Sequence, residues 1–298
     1  MIPAQLPPLV TTDWLAAHLG EPGLVVLDAS WYLPNSGRDP REEFRLGHIP
    51  GSRFFDLDAA SAPDTSLPHM LPDATRFAAV ASALGIENEA AIVIYDGSGT
   101  NLSAARVWWM FRVFGHPRVT LLDGGAGKWR SEGRALERGE AVTAPRTFQA
   151  KLDPTHVVGK RDVATALASG LVQVVDMRPA GRFEGTEPEP RPGLPSGHMP
   201  GAISLPHGEM VHADGTALTP EELRDLLERR GIRLDRRLIA TCGSATSACT
   251  LLHALHRLGM APQELYDGAW TEWAGSGMPV ETGLGRRPAT SGGQGTAG

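Results

Sequence analysis

The chain has 298 residues, 41% hydrophobic and 21% charged, with a net charge of -6. That is the composition of a globular protein long enough for two domains, with no apolar run of membrane-spanning length. The acidic balance argues against nucleic-acid binding through a basic surface. The only cysteines, Cys242 and Cys249, exclude a disulfide framework and a multi-cysteine zinc site. The opening MIPAQLPPLVTTDW has no basic region and no long apolar stretch, so a cytoplasmic location is expected.

In chain order, LVVLDASWY (24–32) is a short apolar run ending in an acid and predicts a buried strand. GHIPGS (47–52) is a turn. Thr75–Leu84 predicts a helix with Asp73 as its N-cap. AAIVIYDGSG (90–99) predicts a strand, Ser103–Phe114 a helix, and VTLLDGGAGKW (119–129) a strand entering a turn. Glu137–Thr155 lacks periodicity, carries Pro145 and Pro154, and is expected to be the linker. The pattern then restarts. LVQVVDMRP (171–179) answers the first strand and GHMPGA (197–202) answers GHIPGS. Pro220 opens a helix to about Arg230, with Thr219 and Glu222 as a capping box. RRLIATCGSA (236–245) answers AAIVIYDGSG, Ser247–Leu258 predicts a helix, and QELYDGAWTEW (263–273) answers VTLLDGGAGKW. Four matches in one order, offset by roughly 145 residues, indicate a duplicated domain. Alternating strands and helices indicate an α/β fold with helices on both sheet faces. The expected division is 1–140, 155–285 and a disordered Gly/Ser/Thr-rich tail, 286–298.

The segment LIATCGSATSACTLLHALHRLGM carries the chemistry. A strand ends at Cys242, a turn of small residues follows, and a helix begins near Ser247. Successive backbone amides in such a turn form an anion nest at a helix N-terminus, which favours a thiolate. A buried structural cysteine is the competing reading. The first copy has Asp96 where the second has Cys242, so one copy is expected to be active and Asp96 to be a relic of the duplication.

On GHIPGS, AARVWWMFRVFGH and LLDGG in the first half, and GRFEGTEPEPR, GHMPGA, CGSATSA and YDGAWTEW in the second, the chain resembles the two-domain rhodanese superfamily of sulfurtransferases. The resemblance is closest to its 3-mercaptopyruvate branch. It implies two tandem rhodanese-like domains, each a mainly parallel sheet flanked by helices, with only the second catalytic. It makes Cys242 the nucleophile that becomes a persulfide, held by the loop of Gly243, Ser244, Ala245, Thr246 and Ser247. Thiosulfate-preferring members have basic residues after the cysteine, where this chain has Gly243 and Ser244. The resemblance assigns Arg182 and Arg191 to the donor carboxylate, which guanidinium forks suit. It assigns Asp58, His69 and Ser244 to a proton relay. The loop departs from the usual CGSGVTA at Ala245, Thr246 and Ser247, and Ala245 matters if that position needs positive φ.

Several residues invite plainer readings. His48 and His198 are expected to be structural. Trp108 and Trp109 are expected to pack the core, one of them toward the other domain. Arg178 is expected to pair internally with Asp176. Cys249 is a candidate resolving or redox-sensing thiol. The implied partners are a small-molecule sulfur donor and an acceptor such as cyanide, a thiol or thioredoxin, with no metal or organic cofactor. Thiosulfate:cyanide sulfurtransfer is the runner-up. A non-catalytic sulfur carrier or partner-binding module is the alternative of another class. Phosphatase chemistry is disfavoured, because Ala248 stands where such a loop would need an arginine.

Overall fold

The computed structural model describes residues 2–285; the tail expected to be disordered lies outside them. The first half contains β1 (Leu9–Val10), α1 (Thr12–His18), β2 (Leu24–Asp28), α2 (Pro40–Leu46), β3 (Arg53–Phe54), α3 (Leu57–Ala60), α4 (Ala74–Ala83), β4 (Ala91–Tyr95), α5 (Leu102–Val113), β5 (Val119–Leu122) and α6 (Gly125–Ser131). The second contains β6 (Val157–Val158), α7 (Lys160–Ser169), β7 (Gln173–Asp176), α8 (Ala180–Glu184), β8 (Ile203–Ser204), α9 (Pro220–Arg229), β9 (Leu238–Thr241), α10 (Ala248–Arg257), β10 (Glu264–Tyr266) and α11 (Ala269–Gly275). The sheet orders are β1-β5-β4-β2-β3 and β6-β10-β9-β7-β8. Every pairing is parallel, and the two orders are the same topology. The duplication read from four short motifs is therefore a duplication of the whole α/β fold.

Local chemistry sets the element ends. Asp73 caps α4 by accepting the Arg76 amide at 2.7 Å. Thr219 and Glu222 close the capping box of α9, with Pro220 at its first position. The central strands β4 and β9 are buried along their whole length, as strands covered on both faces by helices must be. The two GHxPG turns repeat in detail. His48 Nδ1 lies 2.8 Å from the Phe44 carbonyl and the ring stacks on Phe44. His198 Nδ1 lies 2.9 Å from the Phe183 carbonyl and stacks on Phe183. Both histidines are structural, as expected.

The segment after Glu137 runs back along α4 and the end of α5. Phe148 is buried in the core, and the amides of Arg146, Lys151 and Asp153 donate to Ser82, Phe114 and Val113 carbonyls. One apolar core runs through both halves, with α5 packed along α10. There Trp108 meets His253 edge-on, with ring centroids 4.9 Å apart. The halves also exchange arms reciprocally. Asp267, just after β10, accepts the Leu71 amide at 2.7 Å. Asp123, just after β5, accepts the Ala217 amide at 2.8 Å. Each half thus pins a segment of the other across the end of its own sheet, where strand ends and helix starts converge.

Candidate active site

Cys242 is the first residue beyond β9 and is buried. Its carbonyl accepts the Trp270 amide at 2.9 Å, and the Gly243 carbonyl accepts Thr271 Oγ1 at 2.7 Å. These bonds hold the two carbonyls against the start of α11. Among the described residues, the amides of residues 243–248 donate to no protein acceptor, so the turn is a nest of oriented donors. Ala245 has φ +58°. The position does require the left-handed region, and the alanine adopts it. Its counterpart in the first half, Gly99, has φ +80°.

The first-half loop has the same frame and a different content. One oxygen of the Asp96 carboxylate accepts Ser98 N and Oγ at 2.8 and 2.6 Å. The other accepts Ser103 N, Ser103 Oγ and Ala104 N at 2.9, 3.1 and 2.9 Å. Asp96 is therefore more than a relic: its carboxylate fills its own loop with a fixed negative charge.

The structure brings the other predicted residues to Cys242 from both halves. His69, at φ +59°, is buried on the arm held by Asp267. Its Nδ1 lies 3.0 Å from Ser244 Oγ, and its Nε2 lies 3.1 Å from Asp58 Oδ1. The hydrogen bond to His69 holds the Asp58 carboxyl below the usual carboxylate range. Trp31 Nε1 donates to the other Asp58 oxygen at 3.1 Å and its ring meets His69 edge-on. Thr246 Oγ1 also lies 3.0 Å from His69 Nδ1. Ser247 stands at the N-cap of α10, where its carbonyl accepts Thr250 Oγ1 at 2.7 Å.

On the opposite side, a Cβ on Gly243 would meet Arg182 Nη2 at 2.9 Å and Arg191 Nη1 at 3.9 Å. Both guanidinium groups reach the loop, and Arg182 comes so close because residue 243 has no side chain. Arg182 donates through Nε and Nη2 to Glu189. Arg191 is half-buried, and burial draws its guanidinium below the usual arginine range while Cys242 opposes that shift. Arg178 pairs with Asp176 at 2.7 Å, as expected, and also with Glu189 at 2.7 Å. Among the described residues, no cluster of three His, Cys, Asp or Glu side chains is placed to hold a metal ion.

Three supporting residues, Glu189, Arg106 and Asp267, escaped sequence reasoning. Glu189, buried between two arginines, sits inside the GRFEGTEPEPR motif; its alternation of acids and prolines gave no sign of which acid turns inward. Arg106 is fully buried and donates through Nη2 to the His69 carbonyl at 2.6 Å and to Asp267 at 2.8 Å. An arginine inside the apolar AARVWWMFRVF run was the available signal. Cys249 is buried, with its Sγ 3.3 Å from the Ala245 carbonyl, and burial pushes its thiol up to about 12. That keeps it protonated and poorly suited to redox sensing.

The fold and this loop define a tandem rhodanese domain, and comparison with known proteins agrees. The family model described as a rhodanese-like domain matches residues 11–132 and 160–276. The chain belongs to the rhodanese family. It is 45% identical over 271 residues to human 3-mercaptopyruvate sulfurtransferase, covering 89% of this chain and 91% of that one. It is 45% identical over 298 residues to the Arabidopsis thaliana mitochondrial thiosulfate/3-mercaptopyruvate sulfurtransferase 1, covering 92% and 78%. The crystal structure of SseA from Escherichia coli, a 3-mercaptopyruvate sulfotransferase, superposes with a TM-score of 0.81 at 37% identity, covering 89% of this chain and 99% of that one.

Proposed function

We propose that this enzyme transfers sulfur from 3-mercaptopyruvate to a thiophilic acceptor through a persulfide on Cys242. The Cys242 thiol gives its proton through Ser244 to His69 Nδ1. The thiolate attacks the donor sulfur, the S–S bond forms, and the donor C–S bond breaks with its electron pair on the enolate of pyruvate. His69 returns the proton through Ser244 to the enolate carbon, so thiol plus donor becomes persulfide plus pyruvate. Asp58 orients the imidazole and stabilises its charged form. The loop amides face the persulfide, and Arg182 and Arg191 hold the α-keto carboxylate. Cyanide, a small thiol or a dithiol protein such as thioredoxin then attacks the outer sulfur and releases the Cys242 thiolate. Two free thiols, both buried, suit a reducing compartment, and the cytoplasm is the proposed setting. The proposed division into a scaffold domain, 1–140, and a catalytic domain, 155–285, follows the two sheets.

The observation that carries the donor choice is the Ser244–His69–Asp58 chain beside Cys242. Mercaptopyruvate leaves an enolate that needs a proton. Thiosulfate leaves sulfite, which needs none and would instead call for cations in the loop, where residues 242–247 are all uncharged. The test compares both donors with cyanide as acceptor. A kcat/KM preference for mercaptopyruvate of about tenfold or more, roughly 1.4 kcal/mol, is expected. A mass gain of one sulfur should appear on the wild type and vanish in Cys242→Ser. Equal or better use of thiosulfate overturns the donor assignment. No persulfide with either donor overturns catalysis and leaves a carrier or partner-binding role.

A further inference from the structure

His69 Nδ1 has two hydroxyl oxygens at 3.0 Å, Ser244 Oγ and Thr246 Oγ1. All three residues are buried. With Nε2–H directed at Asp58, a neutral imidazole offers one lone pair at Nδ1, which takes one good hydrogen bond at a time. Thr246 has a second partner, the Ser244 carbonyl at 3.3 Å. Its hydroxyl can therefore serve both charge states of the ring. It donates to a neutral Nδ1, or it accepts from a protonated Nδ1–H while donating to the Ser244 carbonyl. Among the described residues, the Ser244 hydroxyl has no such alternative partner.

We infer that Thr246 is a positioning residue for the proton relay: it holds His69 Nδ1 whenever Ser244 turns toward the reacting groups. This rests on the relay reading above. No atom is transferred through Thr246, and the proton path still runs between Ser244 and His69. The groups facing His69 are Asp58 at Nε2, Arg106 on its carbonyl with Asp267 behind it, and Arg191 near Asp58. None of them replaces a hydroxyl at Nδ1.

Thr246→Val keeps the shape and removes the hydroxyl. It is expected to lower kcat for mercaptopyruvate about tenfold with KM nearly unchanged, and to move a limb of the kcat–pH profile by about half a unit or more. Thr246→Ser is expected to restore both. Ser244→Ala should lose further activity when combined with Thr246→Val. Wild-type kcat and pH profile in Thr246→Val overturn the inference, as does a loss that Thr246→Ser leaves uncorrected, which would be packing alone. His69→Asn separates the two levels. If it retains full activity, the relay reading falls and takes this inference with it. If it is inactive while Thr246→Val is wild type, only the inference falls.

Discussion

Arg106→Met tests whether the seam between the halves positions the site. Arg106 and Asp267 are both buried, with side-chain exposures of 0% and 4%. Removing the arginine strands a buried carboxylate, which costs about 3–5 kcal/mol, and orphans the His69 carbonyl, which costs a further ~1–3 kcal/mol. Against this, Arg106 Nε and Nη1 have no hydrogen-bond partner, and their desolvation is relieved. A net loss of about 3 kcal/mol is expected, or roughly 6–12 °C in Tm at ~2–4 °C per kcal/mol. Activity should fall as well, because His69 at φ +59° loses one of the bonds that hold it in a region costing ~1–2 kcal/mol. Arg106→Met/Asp267→Asn removes both charges and leaves an acceptor for the Leu71 amide. It should regain most of the stability, since a buried pair is often replaceable as a unit, but little of the activity. Thermal unfolding and the mercaptopyruvate assay read the two effects separately. A double variant that regains full kcat, or a single variant within about 1 kcal/mol of wild type, refutes the reasoning.

Other expectations are as specific. Gly243→Ala should raise KM for mercaptopyruvate about tenfold, roughly 1.4 kcal/mol. The new methyl meets Arg182 Nη2 at 2.9 Å while Glu189 holds that guanidinium from behind; an unchanged KM would show that Arg182 yields freely. His253 bonds the Pro8 carbonyl through Nε2 at 2.7 Å, and burial pushes it down to about 3. Because the unfolded chain then binds the extra proton, stability should fall as pH drops from 6.5 toward 3, by ~1.4 kcal/mol per unit. His253→Gln should flatten that limb in acid denaturation, and an unaltered slope would assign the acid loss elsewhere. Ala245→Gly should change kcat by no more than about threefold, roughly 0.7 kcal/mol, because the alanine already has the loop's backbone geometry. A tenfold gain would mean that Ala245 distorts the loop after all.

The fold was legible because both copies obey strong local rules. Short apolar runs such as AIVIY and LIAT read as strands buried on both faces, and Asp73 and Thr219 mark helix starts. The loop was legible for the same reason, being continuous in sequence. The pairing of His69 with Ser244 joins residues 175 positions apart, and no periodicity encodes such a distance; family resemblance alone pointed to it. Glu189, Arg106 and Asp267 lay beyond sequence reasoning because burial decides their roles, and burial of a charge depends on the partner that tertiary structure delivers. The loop's second hydroxyl on His69 was hidden likewise: Thr246 is expected only as part of the loop that holds the persulfide, and its contact with the imidazole belongs to the domain seam.

The duplication also accounts for one proposed site rather than two. Each half presents an amide-rich loop at the end of its sheet, and each receives an arm from the other through an aspartate, Asp267 or Asp123. The frames are equivalent, so the difference lies in what occupies them. Asp96 directs its carboxylate into the first loop, where five hydrogen bonds from Ser98, Ser103 and Ala104 hold it. An external anion there would meet a fixed negative charge and donors already spent. In the second loop the corresponding residue is Cys242, and among the described residues the amides of 243–248 donate to no protein acceptor. The arm over that loop brings His69, whereas the arm over the first brings Gly215 against the Gly99 carbonyl, with no room for a Cβ. One copy has become a closed loop that supplies an arm, and the other an open loop that receives a histidine.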